Sequence, residues 1–391
     1  MTFLRVLFAG GLIAALPLRA VYAPIPEQEQ GKDLTFTFSA ALSHDSNIFG
    51  AASSPISSTV EEFSPMVVYN ASVTAQTFFS LSYKLTLDHF TDRPGAKTLD
   101  SHDLMVRLAH QFAPSTTLDV TDDYQVARNP ESLLNGIPLN VDQSFQRNEL
   151  DGHFTAPLSP KATATVKART VYYKFRDSGL GRSLDRFENL YGLSADYALL
   201  PETKIVGEAR HEDVYYRKLG ETKNKTSDFL MAGVDYAVAK TLTASLRAGA
   251  EWRHRAGERS ATAPYAEASA KYDYVEGSFI TGGYQHTLEE ASDTVRFTDS
   301  RVNRFFVNVQ HRITPLVALS GSVTYEPSEL QGRRGQPNVA EDTVRSGLAL
   351  SYLPTKRWTL SASYDNDHVK SDSAARDLDR ERAGLNASYT F

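Results

Sequence analysis

From residue 34 onward the chain alternates apolar and polar side chains at a period of two. Leu34, Phe36, Phe38, Ala40 and Leu42 form one apolar stripe, and Phe79, Leu81, Tyr83, Leu85 and Leu87 form another. The same register recurs at Leu118 and Val120 and at Phe187, Tyr191, Leu193, Ala195, Tyr197 and Leu199. It continues in alternate positions of 230–238, 242–252, 305–309, 317–325, 344–352 and 358–364. Successive side chains of an extended strand point to opposite faces, so each run predicts a strand with one apolar and one polar face. About eighteen such segments of roughly a dozen residues can be read, and no long helix.

The connectors alternate in length, and that asymmetry predicts the topology. Short links at 113–116, 157–160, 200–203, 239–240, 314–315 and 353–356 alternate with polar stretches at 44–61, 127–143, 288–299, 327–341 and 368–378. The stretches 91–100 and 175–184 join the long set, with more modest ones at 218–225 and 255–261. Short turns at one end and long loops at the other are the mark of a closed antiparallel transmembrane β-barrel. Nine loops and eight turns give about eighteen strands with both termini in the periplasm, and one hairpin more or less gives twenty or sixteen. A soluble sandwich would hide its stripes in a shared core without alternating connectors. A propeller would show a repeat of about forty residues, and none is visible.

Both ends of the chain fit this reading. Residues 1–23 look like a secretory signal peptide: Arg5 precedes an apolar run, and Ala20 and Ala23 offer cleavage positions. The expected division is the signal peptide, a short periplasmic segment at 24–32 and the barrel at 33–391. The last residues, 383–391, alternate strictly and end on Phe391. They resemble the C-terminal assembly signal of bacterial outer-membrane barrels, carried here by Leu385, Tyr389 and Phe391. That resemblance implies the barrel assembly machinery as a partner, and outer-membrane lipid and lipopolysaccharide as surroundings. A mean hydropathy of -0.35 is no obstacle, because only alternate barrel residues face lipid. The 19 Tyr and 20 Phe supply interfacial aromatics, the absence of Cys removes disulfide chemistry, and a net charge of -6 argues against a nucleic-acid partner.

The polar face should line a lumen too wide for side chains to fill. Its candidate pore-lining residues are Lys84, Asp119, Asp123, Lys167, Arg169, Glu208, Arg210, Arg247, Glu251, Arg253, Arg304, Arg312, Asp365 and Arg382. Both signs are represented. Arg169, Arg210, Arg247 and Arg253 would form a basic ladder for an anionic solute; alternatively acids and bases pair across strands and stiffen the wall. His89, His211, His254 and His311 share the apolar register on separate strands, which suits the membrane interface better than a metal. In Ser43-His44-Asp45-Ser46 neighbouring side chains diverge and cannot assemble a nucleophile, base and orienter. No metal, phosphate or dinucleotide motif is present, and no cofactor or catalytic activity is expected.

One short motif points to a family. Asp45-Ser46-Asn47-Ile48-Phe49, at the end of the first strand, resembles the D-(D/S)-N-I-F signature that opens the putative beta-barrel porin 2 family, with Ser43-His44 where the family has an aromatic and an acidic residue. The resemblance implies an outer-membrane conduit for exopolysaccharide working with a periplasmic export protein. Tyr173 and Tyr284 would then be inward tyrosines able to stack on sugar rings. The residues alone imply only a polar pore, which leaves two alternatives: a diffusion porin for small hydrophilic solutes, or a surface-exposed structural or adhesion barrel.

Overall fold

A computed structural model describes residues 33–128, 144–258, 260–291, 296–333 and 335–391. The strands begin with β1 (Leu34–Asp45), β2 (Ser58–Thr74), β3 (Thr77–Phe90), β4 (Thr98–Ala113), β5 (Thr116–Ala127) and β6 (Phe145–Ser159). Next come β7 (Ala162–Phe175), β8 (Arg186–Leu200), β9 (Thr203–Tyr216), β10 (Lys225–Ala239), β11 (Leu242–Arg255) and β12 (Ala261–Val275). The last six are β13 (Ser278–Glu290), β14 (Phe297–Thr314), β15 (Val317–Gly332), β16 (Val339–Tyr352), β17 (Trp358–Ser371) and β18 (Leu378–Thr390). Every strand pairs antiparallel with its sequence neighbours, and β1 pairs with β18 from Thr37 against Thr390 to Asp45 against Arg382, so the 18-stranded sheet closes on itself. Strands about 4.8 Å apart and tilted by about 40° give a circumference of about 110 Å and a diameter of about 36 Å.

Register carries the sequence stripes onto one continuous outer surface. Phe36 lies opposite Val67, Val67 opposite Tyr83, and Tyr83 opposite Leu104. Across the barrel, Leu230, Leu246, Val307, Leu348 and Leu385 are all exposed on that surface. A belt of large apolar side chains right round a molecule requires a lipid solvent. Aromatic residues bound it at both ends. Near the short turns lie Tyr197, Tyr236, Tyr272, Tyr352 and a cluster of Trp358, Tyr389, Phe391 and Phe38; near the long loops lie Tyr172, Phe187, Tyr215 and Trp252.

The strands run further into the polar stretches than alternation suggests. β15 continues to Gly332 and β16 starts at Val339, so most of 327–341 is ladder. Ion pairs inside the barrel, described below, hold these polar strand ends. Short helical pieces also escape a period-two reading. Helix α1 (Ser178–Leu184) is capped by Asp177, whose carboxylate accepts from Leu180 N at 2.8 Å, and it buries Leu180 and Leu184 against Phe145 and Phe175. Helix α2 (Gly220–Lys223) and a single 3₁₀ turn over Ala374–Arg376 sit in two other loops. The expected signal peptide and the 24–32 segment lie outside the described residues.

Candidate functional site

All fourteen charged positions picked from the sequence share the face opposite the apolar belt, and most of them are paired. Arg107 on β4 holds Asp119 on β5 at 2.5 Å, and Arg147 on β6 reaches Asp123 at 3.4 Å. Glu208 accepts from both Lys167 at 3.3 Å and Arg210 at 2.7 Å. Arg247 reaches Asp235 at 2.7 Å by lying across Gly233, where an added Cβ would stand 2.5 Å from Arg247 Cδ. Arg304 bridges Glu289 at 2.8 Å and Glu326 at 2.6 Å, and Arg382 binds Asp367 at 3.1 Å. Lys84 lies opposite Asp103, Arg169 opposite Asp151 and Asp365 opposite Arg382; Arg312 packs beside Gly277. The four arginines of the supposed ladder are thus interleaved with acids. Pairing, not a run of positive charge, organises this face.

The densest part was not visible in the sequence. Pairing between β12 and β13 stops at Ala266 against His286, although β12 continues back to Ala261 and β13 on to Glu290. Pro264, in the unpaired part, has no N–H to donate to a ladder. Beyond this point β13 and β14 stay paired with each other as far as Glu290 against Asp299, and β14 with β15 as far as Phe297 against Gly332, so the hairpin parts from β12 and leans inward. Their outer face then packs on the inner face of β9, β10 and β11. Glu290 bonds Tyr216, Lys225 and Arg255; Asp299 bonds Arg253 and Arg255; and Leu288 O accepts from Arg253 Nη2 at 2.9 Å. A wall residue meets side chains of its own and adjoining strands, so contacts from β13 to β9 require the hairpin tip to lie inside the cylinder. Arg253 also binds Glu251 at 2.7 Å, and Lys225 binds Glu212 at 3.4 Å.

Loops extend this bridge across the mouth. Arg333, between β15 and β16, donates to Thr222 O in α2 at 2.9 Å and pairs with Glu258 at 3.6 Å, and Lys223 Nζ donates to Ser183 O in α1 at 2.9 Å. Six strands separate the β9–β10 loop from the β15–β16 loop, a chord of about 30 Å in a barrel of this size. The long-loop end of the lumen is therefore crossed by chain.

The opening motif has a structural explanation. Asp45 binds Arg380 of β18 with both carboxylate oxygens, its Oδ1 also accepts from Asn47 N at 2.9 Å, and both charged groups are almost fully buried. Asn47 donates from Nδ2 to Ala51 O at 2.9 Å and Asp379 O at 3.1 Å, and accepts from Ala51 N at 2.8 Å. Ile48 is buried with Val60, Phe90 and Leu99, and Phe49 packs on that cluster. The motif clips the first loop onto the strand that closes the barrel. Ser43 faces in beside Gly384 while His44 lies on the opposite face, so these neighbours do not converge. Of the two tyrosines, Tyr173 is on the inner face, where Arg186 stacks 4.4 Å from its centroid. Tyr284 faces outward instead, beside Phe305 in the belt, because it lies directly opposite that residue in the ladder.

Interfacial placement describes the four histidines. Each bonds a neighbour on the outer surface: His89 to Thr98, His211 to Asp228, His254 to Ser260 and His311 to Tyr274. Among the described residues no group of three His, Cys, Asp or Glu converges as a metal site.

A closed barrel with a lipid belt and a charged interior defines an outer-membrane porin-like protein. The chain belongs to the putative beta-barrel porin 2 family, whose profile matches residues 157–391, more than half of the sequence. Its fold is similar to that of a BenF-like porin from Pseudomonas fluorescens Pf-5, at 12% identity and a TM-score of 0.51 over 92% of this chain and 98% of that one. It is also similar to OccAB2 from Acinetobacter baumannii, at 14% identity and a TM-score of 0.50 over 92% of this chain and 97% of that one. A search of curated proteins returns no match.

Proposed function

We propose that the chain is a diffusion channel for small hydrophilic solutes, with its short turns and termini in the periplasm and its long loops outside. The observation that carries this reading is the continuous, charge-paired inner face of a closed 18-stranded wall. Paired charges hold water and tolerate passing solutes of either sign without a deep electrostatic well. The residues named above on that face, from Lys84 to Arg382, are the path.

Polymer export, which the opening motif implied, gains no support from the family description or from the BenF-like porin. The motif itself is occupied in closing the barrel. The inward hairpin also argues for small solutes, since a hydrated polysaccharide needs an unobstructed bore. Purified protein in planar bilayers should give discrete current steps, and liposomes containing it should swell in small sugars and not in large oligosaccharides. A deletion strain should keep its surface polymer. Absence of current and swelling from correctly folded protein would overturn the channel reading.

A further inference from the structure

Glu290 occupies a carboxylate site that the wall builds and the chain itself fills. Its Oε1 accepts from Tyr216 Oη at 2.5 Å and from Arg255 Nη1 at 3.0 Å, and its Oε2 accepts from Arg255 Nη2 at 2.9 Å with Lys225 Nζ at 3.1 Å. The donors come from β9, β10 and β11, which form continuous wall; the acceptor comes from the hairpin tip, which has parted from β12. A planar guanidinium fork with a second cation and a hydroxyl is the donor set that recognises a carboxylate. Asp299, opposite Glu290 in the ladder, engages Arg253 and Arg255. Glu290 does not exhaust the donors, because Arg255 Nε is buried without a hydrogen-bond partner among the described residues.

We propose that this is a binding site for small carboxylate anions in the lumen, masked by a carboxylate of the protein's own. Charge supports the assignment. Without Glu290 and Asp299, Lys225, Arg253 and Arg255 would keep Glu212 and Glu251 as their close acidic partners among the described residues, a surplus of positive charge beside the solute path. On the β12 side the tip has no ladder to hold it. An incoming carboxylate would replace Glu290 at the same donors, one charge-assisted set for another, with no covalent change. The proposal relies on the channel reading for access to the site but not for its chemistry.

Glu290→Ala tests it, because the substitution removes a fragment the size of acetate. In detergent, acetate should restore most of the melting temperature this variant loses, while chloride at equal ionic strength should not. In bilayers, acetate should reduce the variant's current in a saturable way. Wild type should show the current block only at higher acetate, because Glu290 must first be displaced, and Glu290→Gln, whose amide still fills the site, should show neither effect. If Glu290→Ala folds only when acetate is present during refolding, that dependence is itself the expected result. If acetate changes neither its refolding yield, its melting temperature nor its current, the proposal is overturned and the channel reading stands. If no variant conducts while acetate still shifts the melting temperature, the channel reading fails and the site stands.

Discussion

The ion pair between Asp45 and Arg380 closes the barrel, and its removal should be costly. Both side chains are nearly inaccessible, at 5% and 6% exposure, so neither can turn to water when its partner is lost. The guanidinium gives Asp45 three contacts, Nε to both oxygens at 3.1 Å and Nη2 to Oδ2 at 2.5 Å. Breaking such a pair strands a buried charge, which typically costs about 3–5 kcal/mol. Asp45→Ala also leaves Asn47 N without its side-chain acceptor, worth roughly another 1 kcal/mol. Arg380→Ala should fall in the same range of about 3–5 kcal/mol. The double variant should cost less than the sum, because once both charges are gone neither is left uncompensated. Urea unfolding in lipid vesicles, followed by tryptophan fluorescence, measures all four states of the cycle. Two single variants within about 1 kcal/mol of wild type, with additive losses, would refute the claim that this pair holds the closing strand, since exposed pairs behave that way.

Three other predictions follow from facing and closure. Leu246→Arg places a charge in the lipid belt and should cost about 2–4 kcal/mol if it lies near the midplane, whereas Arg247→Ala, one residue on, should leave stability nearly unchanged and alter ion selectivity; equal losses in the same unfolding assay would contradict the register. Deleting Phe391 removes edge contacts with Phe38 and Tyr389 and the backbone bond to Phe36 O at 2.9 Å, so folded protein recovered from the outer membrane should fall, and an unchanged level would count against its role in assembly. Arg107→Ala frees Asp119 at the lumen surface, where the arginine is half exposed, and should shift reversal potentials toward cations with little change in melting temperature.

The wall was legible and the obstruction inside it was not. A period of two sets facing directly, so Leu246 outward and Arg247 inward could be read from residue types alone. The ends of the chain and the alternating connectors set closure and strand order. By contrast, 288–299 is polar in both phases, with Glu289, Glu290 and Asp299 offering no apolar stripe, and it reads as an exposed loop. At 288–290 and 297–299 it is instead paired strand whose two faces are both covered: Glu289 meets Arg304 on one side and Glu290 meets Arg255 on the other. No period marks a hairpin that is wet on neither side and apolar on neither. Two local signs were available. Pro264 interrupts the donors of β12, and Arg253 and Arg255 extend the inward phase of β11 beyond its outward Trp252, calling for acids that β12, with Ala261 opposite Arg253 and its ladder to β11 ending there, does not supply.

The shortage of acids on β12 also explains why the tip folds inward. β11 presents Arg253 and Arg255, and β10 adds Lys225, so without the tip this patch would be over-supplied with positive charge in a partly enclosed space. Left to water alone, the three cations would repel one another. A hairpin carrying Glu290 and Asp299 relieves that repulsion only by parting from β12, and the lost ladder between β12 and β13 is the cost of doing so. Backbone hydrogen bonds contribute about 1 kcal/mol each in water-accessible surroundings, while charge-assisted bonds contribute about 1.5–3 kcal/mol. Glu290, Asp299 and Leu288 O replace the few ladder bonds surrendered with charge-assisted ones. The same electrostatic demand that shapes the fold at this point makes the inner wall of β9, β10 and β11 a place where carboxylates are bound.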